Sequence, residues 1–574
     1  MDHGEMEKLI RGKRPPPSYL KKFWHLVVRN GSISSTNFID RLADVYGERP
    51  VFFLDRSLEY PFFSGQVVTY ETLRRFVNRI GNGLRELGVA KGDRVGLITL
   101  NRVELAFAEF ACMKIGAVPV PLNFMLKANE IEYQMENSGA RVLITDYNVF
   151  ENTIKETARV PSIKTWIMVS KRQKPPGFYS LGELMAAASE RLEPASLAGR
   201  DEVVIIFYTS GTTGVPRGAM LTDRNLMYTI RRYSLLFGLL PANRRQLALL
   251  VMPVAHTSGH QNLLILLSMA IPMYFMGRFD PEAVLRAIQD YRVTFFAGIP
   301  AMFKMLLQAG ADRYDLKSIV VWGGGADAFP PDIVRTFREL AKRKKWIFPF
   351  KPLFVTGYGT AETAGHVCLS PPWGPQCAGW VIPGIKYRLT DPSGTPVKRG
   401  QAGELELKGP TIMIGYWNDE EKTRSAFRDG WFRTGDIMRQ DKWRLLKFVE
   451  REKDVIKCGG YSVFPTEIEH LLAEHPKIAR AVVVGVPHPV KGEMPVAFVQ
   501  LKDGETATEE EIRLWADERI AAYKRPRRYF FRDAIPMTFS MKPLRKDLRE
   551  LAAGIIGDQW GEASRTTEAD HRGA

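Results

Sequence analysis

The chain of 574 residues is 45% hydrophobic and 25% charged, an ordinary globular balance that excludes wholesale disorder and leaves room for several structural units. Its formal charge of +16 suits anionic partners, but no paired zinc-ligand spacing or aromatic RNA-binding signature accompanies it, so nucleic acid is not an expected partner. Four cysteines, Cys112, Cys368, Cys377 and Cys458, are too few for a disulfide framework and favour a reducing compartment.

Residues 1–35 read as an N-terminal extension, charged and Pro-rich over Met1–Pro17 and without the apolar core of a secretion signal. From Glu71 to Gly88 the residues Leu73, Phe76, Val77, Ile80, Leu84 and Leu87 recur at helical spacing. Arg94–Ile98 then predicts a buried strand, Ala106–Ile115 a helix and Val118–Val120 a strand, an alternation that argues for a layered α/β architecture. The most apolar stretch, Leu263–Met276, contains Ser268 and Pro272 and is too short to span a bilayer comfortably, so it predicts a buried helix and strand. A cytoplasmic protein is expected, with peripheral contact at the inner membrane surface left open.

The composition changes near residue 450. Beyond it lie a short helical pattern at Glu467–Glu474, strand-like runs at Ala481–Val486 and Met494–Leu501, and a basic, helix-rich end. That mix suits a small α+β domain over 451–556, joined through Glu450–Gly460 to a large domain over 36–450 and followed by a polar tail over 557–574.

The densest chemical signal follows the apolar run Val203–Phe207: Thr209, Ser210, Gly211, Thr212, Thr213 and Gly214, then Val215, Pro216 and Arg217. Glycines let a backbone approach a ligand closely, while exposed N–H groups and hydroxyls suit phosphate oxygens. No Gly-Lys-Ser/Thr follows at the spacing of the Walker loop. Further along lie Trp322-Gly-Gly-Gly-Ala-Asp327, Gly357-Tyr-Gly-Thr-Ala-Glu-Thr363, Gly430-Trp-Phe-Arg-Thr-Gly-Asp436, the run from Glu450 to Glu469, and Ile535-Pro-Met-Thr-Phe-Ser-Met-Lys542. Each alone would read as a turn, a linker or solvated surface.

In this order the motifs closely resemble those of the adenylate-forming superfamily of acyl-CoA synthetases, peptide-synthetase adenylation domains and luciferases, from about Asn37 to Leu551. The resemblance implies α/β architecture with a large N-terminal domain of several subdomains and a small mobile C-terminal α+β domain. It implies ATP, magnesium and coenzyme A as cofactor and co-substrates. Thr209 to Gly214 and Arg217 would hold the triphosphate, with Glu362 and Thr209 at the metal. Gly324, Gly325, Ala326, Tyr358 and Gly359 would meet the adenine, and Asp436 and Arg451 the ribose or phosphate. His256, Gly259, Gly298 and Trp322 would line the acyl pocket, with His256 gating it. Lys453 would be the hinge, Gly459 and Gly460 the pantetheine tunnel, and Lys542 the catalytic lysine bridging carboxylate and α-phosphate.

Five positions depart from the resemblance: Ala361 for a phosphate-contacting Thr, Arg217 for Lys, Asp223 for His, Glu450 for Gly and Met541 for Gly. Thr360 or Thr363 would have to compensate for Ala361. The implied activity is an AMP-forming acyl-CoA synthetase, with a medium- or long-chain fatty acid as first expectation and an aromatic or alicyclic acid as second. A ligase that hands acyl-AMP to a carrier protein, and an inactive nucleotide or acyl-CoA binding homologue, are the other readings. Both monomer and homodimer stay open.

Overall fold

The computed structural model describes residues 3–12, 33–155, 160, 162–169, 174–209, 215–238, 246–325, 329–345, 348–372, 378–458, 461–488, 491–522, 524–537 and 543–556. Ser210, Gly211, Thr212, Thr213, Gly214, Ala326, Gly459, Gly460 and Lys542 lie outside the described residues. The chain forms two compact units, Met1–Lys386 with Leu407–Phe432, and Tyr387–Glu406 with Arg433–Ala574.

In the first unit, helix α1 (His3–Gly12) falls within the stretch read as an extension, and its Met6 is buried in a core with Phe53 and Leu249. The helical repeat after Glu71 forms α2 (Tyr70–Glu86), started by the Thr69 hydroxyl, which accepts the Thr72 N–H at 3.1 Å. Strand β1 (Arg94–Ile98) and helix α3 (Val103–Ile115) follow as the sequence predicts. Every residue of α3 is buried, so the helix shows no amphipathic stripe. β1 belongs to a parallel sheet with Val118–Pro121, Val142–Thr145, Thr165–Met168 and Tyr179–Ser180.

Strands β2 (Val203–Thr209) and β3 (Arg217–Thr222) form an antiparallel hairpin that brackets the hydroxyl-rich loop, and helix α4 (Asp223–Gly238) leaves from its base. The apolar stretch beginning at Leu263 becomes helix α5 (Thr257–Ser268) and strand Met273–Phe275. No helix among the described residues is long and apolar enough to cross a membrane.

A second, nine-stranded sheet has a parallel centre that includes β4 (Phe295–Gly298), β5 (Val321–Gly324) and β6 (Leu353–Thr360). Its edges are antiparallel, one of them through β7 (Gly365–Leu369). Gly323 and Gly324 are ladder residues of β5, paired with Ala297 and Gly298 on one side and Val355 and Thr356 on the other. Two parallel partners satisfy this Gly-rich backbone, which its own weak strand propensity would leave as a loop. The short strand β8 (Gly415–Tyr416) adds to the outer edge of β3.

In the second unit, β9 (Trp431–Gln440) pairs antiparallel with β10 (Leu446–Arg451), which draws residues ahead of 450 into this unit. Helix α6 (Pro465–Leu472), the long hairpin β11 (Ile478–His488) and β12 (Gly492–Leu501), and helix α7 (Arg545–Ile556) enclose a separate core.

Beneath the nine-stranded sheet, Phe303 is fully buried and meets Phe296, Trp322, Phe329 and Phe337 edge-on at centroid distances of 4.9–5.8 Å. Truncating a ring in such a cluster removes its transfer free energy and leaves a cavity. Phe303→Ala is therefore expected to lower the stability of the first unit by about 3–5 kcal/mol, read as a shift of its denaturant midpoint.

Candidate active site

Strand pairing brings three distant motifs of the first unit together. Arg217 opens β3, opposite Thr209 at the end of β2. On the other edge of β3, Tyr416 pairs with Ala219, and the Trp417 N–H donates to the Gly218 carbonyl at 2.7 Å. The Arg217 guanidinium lies 5.7 Å from the centre of the Tyr416 ring. The Tyr416 hydroxyl donates to Glu362 Oε1 at 3.1 Å, and the Met413 N–H donates to the Glu362 carbonyl at 2.8 Å. Burial first, then the nearby Glu362 carboxylate, push the Tyr416 phenol far above its ordinary range, so it remains a donor. The sequence marks Tyr416-Trp-Asn as the start of a motif that continues to Asp436 but gives Tyr416 no role of its own.

Glu362 sits in the single-turn 3₁₀ segment Ala361–Thr363 between β6 and β7. The Thr363 hydroxyl is buried and donates to the carbonyls of Thr360 and Gly365 at 3.0 and 2.6 Å. It is spent on the turn. Among the described residues no three His, Cys, Asp or Glu side chains converge as a metal cage. A single carboxylate nevertheless fits a hard cation whose remaining ligands are phosphate oxygens and water.

The glycines next to this turn are required by close approach. A Cβ at Gly359 would lie 2.0 Å from the Gly365 carbonyl, and one at Gly357 would lie 2.5 Å from the His366 ring. His366 also covers Gly325, while Phe329 covers Gly324. The His366 N–H donates to Gln261 Oε1 on α5 at 3.0 Å, which ties that helix to the strand pair holding Tyr358 and Gly359.

Helix α5 begins at His256, which is exposed and whose Nδ1 accepts the Ser258 N–H at 3.3 Å. One turn on, His260 Nδ1 lies 3.1 Å from Glu109 Oε2 of α3, with both side chains buried. Burial pushes the Glu109 carboxyl up, and the imidazole opposes it. This pair, invisible in the sequence because its members are 151 residues apart, anchors the helix that presents His256.

One acyl-pocket assignment, Trp322, needs correction. Trp322 does not line a pocket: its ring is fully buried in the aromatic core and its Nε1 donates to the Phe337 carbonyl at 3.1 Å, because alternation along β5 turns it to the face opposite Gly323, where Phe329 also packs. Gly259 packs against the chain at Pro253, whose carbonyl would lie 2.1 Å from an added Cβ. Gly298 is closed over by Met302 and Phe296, each 3.3 Å from such a Cβ. Asp223 accepts the Ser35 N–H at 2.6 Å and so pins the chain at Ser35 to the start of α4, a task a carboxylate performs where the resemblance has His.

In the second unit, Asp436 is fully buried and pairs with Arg451 Nε at 2.8 Å across the β9–β10 ladder. Lys453 is exposed in the turn Glu452–Asp454.

The profile of the AMP-binding enzyme family matches residues 39–417, and that of the AMP-binding enzyme C-terminal domain matches residues 467–542. The chain is 34% identical over 506 residues to a feruloyl-CoA synthase of Amycolatopsis sp, covering 84% of this chain and 94% of that protein. It is 29% identical over 520 residues to a long-chain-fatty-acid–CoA ligase of Bacillus subtilis, covering 85% and 90%. The structure of ATP-bound MatB from Rhodopseudomonas palustris superposes with a TM-score of 0.79 at 27% identity, over 91% of this chain and 100% of that one. The chain belongs to the AMP-binding enzyme family, within the adenylate-forming superfamily, and has its fold of a large N-terminal and a smaller C-terminal domain.

Burial holds the His366 imidazole neutral, with its pKa pushed from 6.5 down to about 4. A histidine depressed in the folded state contributes stability that is present above its unfolded value and lost as pH falls through the folded one. Wild type should therefore lose thermal stability relative to His366→Gln between about pH 6.5 and pH 4, read from melting temperatures of the two proteins across that window.

Proposed function

We propose that this AMP-forming acid–CoA ligase activates an aromatic carboxylic acid of the feruloyl type. The observation that carries the ligase chemistry is the convergence of Arg217, Tyr416 and Glu362 beside the loop that begins at Thr209. The aromatic substrate is supported by the relative that is 34% identical over 84% of the chain. A medium- or long-chain fatty acid is the second reading, supported by the fatty-acid ligase at 29% identity.

A carboxylate is a poor acyl donor because oxide is a poor leaving group. Attack of the acid oxygen on the α-phosphorus of ATP makes acyl-AMP and releases pyrophosphate. The CoA sulfur then attacks the acyl carbonyl, and AMP leaves with the bond electrons. No protein nucleophile is needed, so the chain's residues act by holding charge in place.

Arg217 meets triphosphate charge with a fixed guanidinium fork, steadied by the Tyr416 ring. Tyr416 orients the Glu362 carboxylate through its hydroxyl. Glu362 and Thr209 are the residues that would hold magnesium, which when bound neutralises triphosphate charge. Tyr358, Gly359, Gly324 and Gly325 are assigned to the adenine, Asp436 and Arg451 to the ribose, and His256 to the mouth of the acyl pocket. The loop over 210–214, Ala326, the Gly459–Gly460 tunnel and Lys542 keep their assigned roles in this reading, with Lys542 bridging carboxylate and α-phosphate during adenylation. The small domain turns about Lys453 between the two half-reactions.

Purified protein with magnesium-ATP and acids from acetate to palmitate, benzoate and ferulate is expected to release AMP only with CoA and an aromatic acid. AMP release with palmitate and none with ferulate would select the fatty-acid reading, and release without CoA would select a carrier-loading ligase. Lys542→Ala should lose acyl-AMP formation by a factor of about 100 or more and retain thioester formation from supplied acyl-AMP. Equal loss of both steps would remove Lys542 from the adenylation role.

A further inference from the structure

Glu450, one of the departures from the superfamily pattern, sits three residues before the hinge position and is only 2% exposed. An ionised carboxylate is rarely buried unless its oxygens are satisfied. Here both are. Oε1 accepts the Arg451 N–H at 3.0 Å on strand β10, and Oε2 accepts the Thr466 N–H at 2.7 Å in the first turn of α6. The two donors lie on opposite sides of Lys453 in the chain. α6 supplies unsatisfied N–H groups and the positive end of its dipole at that turn.

The surroundings extend the connection. Arg545, the first residue of α7 and three residues after Lys542, attracts the Glu450 carboxylate. The same guanidinium pairs with both oxygens of Glu469, at 2.6 and 2.9 Å, and its Nη1 donates to the Val483 carbonyl at 2.7 Å. Asp454, on the far side of the hinge, adds to the field at Arg545 and lies 4.0 Å from Arg549 on the same helix. Burial pushes the Glu450 carboxyl up, and Arg545 with the two N–H donors opposes this.

We propose that Glu450 is a positioning residue that latches the hinge. Its buried carboxylate ties strand β10, which carries Arg451 and its Asp436 partner, to the start of α6. A turn of the small domain about Lys453 must separate Glu450 from the Thr466 N–H and expose the carboxylate to water. The latch therefore favours the arrangement in which Glu450 accepts from Thr466 over the one that follows the turn. The proposal rests on the two-arrangement reading given above for the half-reactions. A glycine at this position would leave the hinge without the restraint.

The test compares full-length wild type, Glu450→Ala and Glu450→Gln by amide hydrogen exchange and by single-turnover rates of the two half-reactions. Glutamine keeps an acceptor for Thr466 and loses the attraction to Arg545, so it should fall between the other two. Exchange over residues 451–466 should rise roughly tenfold in Glu450→Ala while the β11–β12 hairpin stays protected. Adenylation and thioester formation should change in opposite directions, since a latch shifts a population between two arrangements. Unchanged exchange at Thr466, equal loss of protection across the hairpin, or a common factor on both half-reactions would each overturn the latch. If wild type forms no acyl-AMP from any acid, the ligase reading fails, and the exchange result alone still decides whether Glu450 holds the hinge.

Discussion

The outer edge of the phosphate-loop hairpin is closed by two residues, Gly415 and Tyr416, added to β3. Without them β3 would present unpaired N–H and C=O groups, and Arg217 would be a mobile surface cation. With them, the guanidinium lies beside the Tyr416 ring and the Tyr416 hydroxyl reaches Glu362. One short strand therefore fixes the spacing between the cation at the start of β3 and the carboxylate across from it. The rest of the first unit's site is arranged around that spacing, because the Glu362 turn is also held at its backbone by Met413.

The glycines that the sequence marks as ligand-approach positions serve close packing in the fold. Gly359 lets β6 and β7 meet at a turn where a side chain has no room, and Gly357 and Gly325 admit the His366 ring. That ring is connected by its backbone to Gln261, and the helix bearing Gln261 is anchored through His260 to Glu109. Movements of α5 and of the Tyr358 strand are thus mechanically coupled. His256 at the start of α5 is linked through Gln261 and His366 to the strand pair that flanks the Glu362 turn.

The second unit handles charge differently. Asp436, Glu450 and Glu469 are carboxylates held largely out of water, each satisfied by a guanidinium or by backbone N–H groups. Removing one partner of such a set leaves an uncompensated buried charge, so these interactions define geometry more than they add net stability. They lie along the chain on both sides of Lys453 and its turn Glu452–Asp454.

The helix from Tyr70 and the strands at Arg94–Ile98 and Val203–Thr209 were legible because burial on one face or throughout writes a period or an apolar run into local sequence. The order of the glycine- and hydroxyl-rich motifs was equally legible, because close approach to a ligand or a neighbouring strand restricts residue type position by position. Tertiary structure alone decided that Trp322 faces the core, that Thr363 is spent on its turn, that Tyr416 joins Arg217 to Glu362, and that Glu109 meets His260. These contacts join residues tens to hundreds of positions apart, and a side chain's direction depends on which strand lies beside it. Glu450 shows the difference most plainly: in the sequence it is a charged linker residue, and only the packing of β10 against α6 makes it a buried acceptor spanning the hinge.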